Sequence, residues 1–247
     1  MTSGQVLDFD QHDADGNVTP DFLAWHCGRI TASRLNDALA VLKKGGESAA
    51  RYTLKWKLVA ERLSGSVSSS YVSKPMQWGT NTEAQARTEY ELHTGQMVRT
   101  VGMVLHPSIE MAGASPDALV KDGGAEFKCP ETSTHLQYLD CGMMPEIYIN
   151  QVQFNMACRG CSWWDFMSFD PRVSEAKQKF LIRVDRDSAK IAEIEEGIIA
   201  LDNEVRAIIA RIEAKYPELA TKSNEPADDG LGLTDADINW AQKGFTE

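Results

Sequence analysis

The stretch Ala114-Ser115-Pro116-Asp117-Ala118-Leu119-Val120-Lys121-Asp122-Gly123-Gly124-Ala125-Glu126-Phe127-Lys128-Cys129-Pro130 decides how the rest of this chain is read. Two short apolar runs flank an Asp-Gly-Gly turn, the pattern of a β-hairpin or a sharp bend between strands. Asp117 opens the first run. Glu126 and Lys128 lie two residues apart in the second, so a strand turns both side chains to one face. Two carboxylates and an ammonium converging on one spot are the equipment for holding Mg²⁺ beside a phosphodiester and activating a water. In that arrangement Asp117 and Glu126 are metal ligands and the backbone carbonyl of Phe127 adds a third oxygen. Lys128 orients or deprotonates the attacking water, or neutralises the charge that builds on the phosphate. The ordinary alternative is a surface strand with a Glu–Lys pair. An Asp followed by Glu-x-Lys arises often by chance, so the motif alone carries little weight.

Three flanking segments add to it. In Trp78-Gly79-Thr80-Asn81-Thr82-Glu83-Ala84-Gln85-Ala86-Arg87 the composition predicts a helix over 82–93, capped by Asn81 or Thr82 and stopped at Gly95. Glu83 then falls in its first turn, where it either faces a metal or favours the positive helix end and pairs with Arg87. Tyr148-Ile149-Asn150-Gln151-Val152-Gln153 opens a predicted helix over 147–157. Gln151 on it either hydrogen-bonds a substrate strand or belongs to an exposed polar face. Cys27-Gly28-Arg29-Ile30-Thr31-Ala32-Ser33 reads as a glycine turn into a helix whose first turn carries the hydroxyls of Thr31 and Ser33. Such hydroxyls bind phosphate at a helix start or serve as caps.

Helical composition extends from Ile30 to Leu63 with a break at Gly45-Gly46, and the serine-rich run from Ser64 to Ser73 reads as a loop. Strand patterns occur over 97–105, 163–169 and 180–184, and a loop is expected around Pro130, Thr132 and Ser133. Ile191, Ile194, Ile198, Leu201, Val205, Ile208 and Ile212 form a single apolar stripe that either docks on the domain or pairs as a coiled coil, docking being the commoner outcome. The fold class expected is α/β (α+β), a central mixed β-sheet flanked by helices with a C-terminal helix. Three regions are expected: a flexible acidic arm (1–21), a single domain (22–220) and a polar tail (221–247).

The net charge of −11 looks wrong for a partner of nucleic acid, but its distribution is uneven. Residues 1–21 hold five Asp and no Lys or Arg, and 181–247 hold 15 acids against 8 bases. Residues 26–74 carry nine bases against three acids, so either a solvated face or a basic concave surface inside an acidic shell is expected. No apolar run reaches the roughly 18–20 residues of a membrane span, and the acidic start is unlike a signal peptide; both point to the cytoplasm. The five cysteines are irregularly spaced, which argues against a disulfide framework.

Together these segments resemble the lambda-type exonucleases, or YqaJ-like viral recombinases, of the PD-(D/E)xK nuclease superfamily. The resemblance spans Phe22 to Arg172. It rests on Gly28 to Ser33, Trp78 to Arg87, Ser115 to Asp117, Glu126 to Pro130, Gln151 to Gln153 and Phe169-Asp170-Pro171-Arg172, six motifs in the family's order. It implies a restriction-endonuclease-like core and a Mg²⁺-dependent, ATP-independent 5′→3′ exonuclease with two metal ions, for which Mn²⁺ can substitute. The expected substrate is an end of double-stranded DNA, digested to a 3′ overhang. A homotrimer ring and a single-strand annealing protein as recombination partner are implied, in a bacterial host and encoded by a phage or prophage. It further implies that Asp117, Glu126 and Glu83 serve the metal, that Lys128 assists the water, and that Gln151 completes the site. Thr31 and Ser33 would take the 5′-phosphate, and Met76 would be the wedge that splits the terminal base pairs. The family's usual phosphate-clamping Arg is replaced by His26, so either Arg29 substitutes or phosphate capture is weaker and pH-dependent. The competing readings are a Cas4-like nuclease, with an iron–sulfur cluster using the Cys158-x-x-Cys161 pair, another endonuclease of the superfamily, and a non-catalytic DNA-binding module on the same fold.

Overall fold

The computed structural model describes residues 2–14, 16–42, 45–67 and 74–217, with the backbone alone at 74–77, 80 and 81. It divides into two units, residues 1–210 and 211–247. Of the second, the end of the last helix and Tyr216-Pro217 are described; the expected polar tail over 221–247 lies outside the described residues.

The elements run β1 (Val6–Leu7), α1 (Pro20–His26), β2 (Ile30–Thr31), a 3₁₀ turn (Ala32–Arg34), α2 (Leu35–Ala38), α3 (Ala49–Ser64), α4 (Lys74–Thr94), β3 (Met103–Leu105), β4 (Ala112–Ala114), β5 (Ala118–Val120), β6 (Gly123–Lys128), α5 (Thr132–Cys141), α6 (Ile149–Arg159), β7 (Trp163–Phe169), β8 (Lys179–Asp185) and α7 (Ser188–Lys215). This is the mixed α/β architecture expected. Its strands fall in two four-stranded sheets, ordered β1-β3-β4-β2 and β5-β6-β7-β8. Each is mixed: β2 runs parallel to β4 and β6 parallel to β7, while the other pairings are antiparallel. The segment Ser115-Pro116-Asp117 carries the chain from β4 of one sheet to β5 of the other.

The hairpin forms as expected, with Ala118 opposite Ala125 and Val120 opposite Gly123. The glycines do a different job from the one their turn pattern implies. Both Gly123 and Gly124 are strand residues, and a Cβ on Gly123 would lie 2.7 Å from the Trp163 ring, while one on Gly124 would collide with the buried Trp164. They are there because two indoles pack flat on the strand.

Helix α6 packs against β3 and β4 on one side and β6 and β7 on the other, and it buries every residue from Val152 to Cys158. Helix α4 covers the second sheet, where Ala86 and Tyr90 join Ala118, Val120, Ala125, Phe127, Met167 and Phe169 in one cluster. The stripe on α7 docks: Ile191, Ile194, Ile198, Leu201, Val205 and Ile208 are buried. Among the described residues no helix is long and apolar enough to cross a membrane.

Four expectations change. The acidic start is not a loose arm over its whole length, because β1 pairs with β3, Gly4 N–H donates to Cys158 O (2.8 Å), and the Phe9 ring occupies the space where Gly102 lacks a side chain. Its apolar residues outweigh its aspartates. The helix expected from Ile30 is instead a strand and a 3₁₀ turn, since Ile30 and Thr31 pair with Ala112 and Gly113. Helix α4 begins eight residues before the expected cap, at Lys74-Pro75, where the proline lacks an N–H that a first turn leaves unbonded anyway. Thr82 therefore back-bonds to Trp78 O (2.8 Å) inside the helix instead of capping it. The loop expected at Thr132 is the start of α5, which is held by His135 bonding Ser168 and the Lys177 carbonyl (both 2.7 Å).

Candidate active site

Glu126 is fully buried on β6, and three side chains converge on it. Lys128 reaches its Oε1 from the same strand face, as their two-residue spacing requires. Gln151 donates to Oε1 from α6 (2.6 Å), and Asn155 donates to Oε2 (3.1 Å) from one turn further along. Tyr148, one turn before Gln151, presents its ring to the Lys128 ammonium at 5.2 Å. Asp117 accepts from Phe127 N–H at 2.7 Å, which ties the start of β5 to the strand carrying Glu126. In a strand, the N–H and C=O of one residue point to the same edge, so the Phe127 carbonyl also faces the Asp117 side.

The electrostatics describe a site short of positive charge. Burial pushes the Asp117 carboxyl up to about 7, helped by the negative Glu83, and pushes Glu126 to about 7, helped by Asp117. Burial also disfavours the Lys128 charge, but Glu126 and Asp117 outweigh it and hold the ammonium above the usual lysine range. Glu83 is raised by burial as well and pairs with Arg87 at 2.6 Å. A cation among these oxygens would relieve the repulsion. An all-oxygen set of two carboxylates and a carbonyl suits Mg²⁺, which keeps waters in its remaining positions. Among the described residues no three His, Cys, Asp or Glu side chains group closely enough to hold a metal by themselves. Glu83 here pairs with Arg87. Asp117, Glu83 and Arg87 line a cavity of about 390 Å³ together with the N-terminal residues Phe9 to Ala14 and Gly16.

The other expected residues sit at the end of β2. Thr31 is buried, and its hydroxyl lies 3.3 Å from that of exposed Ser33; Thr31 makes no side-chain cap. Because β2 runs parallel to β4, this pair lies at the edge from which the chain leaves for Asp117. The loop before it is fastened by Glu61, which accepts from Gly28 N–H (2.9 Å) and both Arg34 amino groups, and by Arg62, which donates to Gly28 O (2.8 Å). Gly28 has φ +68°, and a Cβ there would meet Arg62 at 2.5 Å. Arg29 stacks on Trp25 at 4.9 Å and donates to its carbonyl, and its Nε is buried without a partner.

His26 departs from expectation. Its Nδ1 lies 2.8 Å from Phe22 O, so that nitrogen carries the proton, and Nε2 accepts from the Ser115 hydroxyl at 3.0 Å. The ring stacks on Phe22 (3.7 Å), and burial lowers its pKa to about 4. Both nitrogens are used inside the protein and the imidazole is neutral, so His26 offers no charge to a phosphate. Met76 lies in α4, with its side chain outside the described residues.

Two residues escaped the sequence reading. Asn155 and Tyr148 stand four and three positions from Gln151, the spacing of one helix face, and that periodicity was the available signal. The Phe169–Arg172 motif gains a physical role. Asp170 is buried yet held near 2, because Arg172 and Thr132 bond it strongly enough to override burial, and Arg172 lies over the Trp78 ring at 4.4 Å. Two separate motifs are thus one contact.

Comparison with known proteins identifies the family and the fold. Residues 21–162 match the YqaJ-like viral recombinase domain. The alkaline exonuclease LHK-Exo from Laribacter hongkongensis is 39% identical, with a TM-score of 0.75 over 81% of this chain and 100% of its own; its crystal structure in complex with dAMP matches equally. A phage-related exonuclease from Haemophilus somnus 129PT, 16% identical with a TM-score of 0.58 over 74% of this chain and 96% of its own, shares the fold. None of the curated proteins compared with the chain matches it. With more than half its length matched and an exonuclease fold aligned over four-fifths of it, the chain belongs to the YqaJ-like viral recombinase family.

Proposed function

We propose that the protein is a DNA exonuclease that digests one strand of linear duplex from its 5′ end, needs Mg²⁺ but not ATP, and leaves a 3′ overhang for recombination by single-strand annealing. The observation that carries the chemistry is the buried Glu126, facing Asp117's charge and bonded by Lys128, Gln151 and Asn155. Asp117, Glu126 and the Phe127 carbonyl would hold the metal, with Glu83 beside them. When bound, Mg²⁺ polarises the scissile phosphate and lowers the pKa of a bound water. Glu126 and Asp117 hold Lys128 as an ammonium in the metal-free site; with a metal answering those carboxylates, it would orient the attacking water or take its proton, and offset phosphate charge. Gln151 and Asn155 fix the Glu126 carboxylate. Thr31 and Ser33 receive the 5′-phosphate with Arg29, and His26 holds Ser115 in place. Met76 is the candidate wedge.

That the similar LHK-Exo is an alkaline exonuclease fits the raised carboxyls. Protonated carboxyls bind cations poorly, so activity should rise with pH through about 7. The family resemblance also supports a homotrimer ring, a single-strand annealing protein as partner, and work in the cytoplasm of a phage-infected bacterium. The test uses linear duplex labelled at either the 5′ or the 3′ end, with and without Mg²⁺, beside circular duplex. Mononucleotides released only from 5′ ends, only with Mg²⁺ and not by Glu126→Ala, are expected. Cuts in the circle or release from 3′ ends would overturn the reading.

A further inference from the structure

The Gln11 side chain ties the N-terminal segment to the backbone beside Asp117. The Gln11 amide nitrogen donates one hydrogen to Val101 O (2.8 Å) and the other to Pro116 O (3.1 Å). The second bond matters most. The Pro116 carbonyl belongs to the same rigid peptide plane as the Asp117 nitrogen, so holding that oxygen sets the direction in which Asp117 leaves the backbone. Proline has no N–H, so the preceding Ser115–Pro116 peptide offers no donor to fix this link between the two sheets. Phe127 N–H fixes the far end of the same residue, at the carboxylate. Gln11 is itself held, since its carbonyl accepts from Thr19 N–H (3.0 Å), Leu7 O accepts from Gly102 N–H (3.0 Å), and Gln5 O accepts from Leu105 N–H (2.9 Å). It lines the same cavity as Asp117, Glu83 and Arg87.

We propose that Gln11 is a positioning residue of the active site, clamping the Pro116–Asp117 peptide so that Asp117 is pre-aimed at the metal. Glutamine suits the task because a neutral –NH₂ bridges two carbonyl oxygens without bringing a charge. The inference deepens the nuclease reading and rests on it only for the identity of the reaction.

The test replaces Gln11 with methionine, which keeps length and volume but cannot donate, and separately with alanine. Mn²⁺ binding to the DNA-free protein is measured by titration calorimetry, and the Mg²⁺ dependence of digestion is measured alongside. Gln11→Met should weaken Mn²⁺ binding by about 10-fold, the low end of what lost outer contacts cost a metal site, and raise the half-saturating Mg²⁺ similarly. The rate at saturating Mg²⁺ should stay within about two-fold, and the melting temperature within a few degrees. A purely structural role would lower the melting temperature and leave metal affinity alone. Unchanged Mn²⁺ affinity in a folded Gln11→Met or Gln11→Ala protein overturns the clamp, even if the wild type digests DNA. Weakened Mn²⁺ binding in these variants, with a wild type that digests no DNA, keeps the clamp and discards the nuclease.

Discussion

His26 shows how a single residue can look functional in sequence and prove structural in its surroundings. The family resemblance sets it at the expected phosphate-clamp position, where an imidazolium would make end recognition pH-dependent. The structure spends both its nitrogens on Phe22 and Ser115 and keeps it neutral down to about pH 4. Across pH 6–8, then, the preference for 5′-phosphorylated over 5′-hydroxyl ends should follow only the ionisation of the phosphate itself. Wild type and His26→Gln should show parallel preference curves in competition digests. An extra gain at pH 6 that only the wild type shows would mean that the imidazole charges and reaches the phosphate. The carboxylates and Lys128 were legible because chemistry and two-residue strand spacing coincide in one short run. Asn155 was not, since one amide on a buried helix face resembles any other until its partner, 29 residues away, is known. Gln11 was hidden more deeply, because its partners are backbone carbonyls 90 and 105 residues distant.

At the level of elements, α6 does most of the assembly. It lies between the two sheets and brings Gln151 and Asn155 to a strand that already carries Glu126 and Lys128. The β5–β6 hairpin is kept in register by the indoles on its glycines, and that makes a specific demand. Gly124→Ala forces a methyl into the ring of fully buried Trp164, which has no room to retreat. It should cost about 1–3 kcal/mol of folding stability, the usual range for overpacking, in urea titrations followed by tryptophan fluorescence. A variant as stable as wild type would mean that the strand and the indole can separate without loss. Strong local patterns made β7 and α7 readable to within a few residues. Two of the misread elements are strands whose partners lie far off in sequence. β2 is two residues long and exists only because β4 lies beside it, and β1 likewise depends on β3. Composition in a short window favoured helix in one case and disorder in the other, and pairing across some 80 or more residues decided otherwise.

Across the whole molecule, four of the nine bases in the run that promised a DNA surface are paired with acids of the protein itself. Arg34 pairs with Glu61, Arg51 and Lys55 share Glu47 and Glu204, and Arg62 takes Asp202, so the acids of α7 fasten the first helices. At the active site, burial and repulsion among the carboxylates raise Asp117 and Glu126, and stability should report this. Asp117 and Glu126 titrate near 7 when folded, against 3.8 and 4.5 as ordinary carboxyls, so the folded state binds the extra protons over that interval. Stability from this pair is present at low pH and is lost as pH rises through 7. His26 and His106, held neutral by burial, act in the opposite sense below their ordinary value of 6.5. The diagnostic window is therefore pH 6.5–8. In EDTA the melting temperature should fall across it, and an Asp117→Asn, Glu126→Gln double variant should stay nearly level. Mg²⁺ at about 100 times its dissociation constant adds about 2.7 kcal/mol to the form that binds it. Protons compete for the same oxygens, so the Mg²⁺-induced rise in melting temperature should be larger at pH 8 than at pH 6.5, and absent in the double variant. An equal rise at both pH values, or one that survives in the double variant, would place the metal on other ligands.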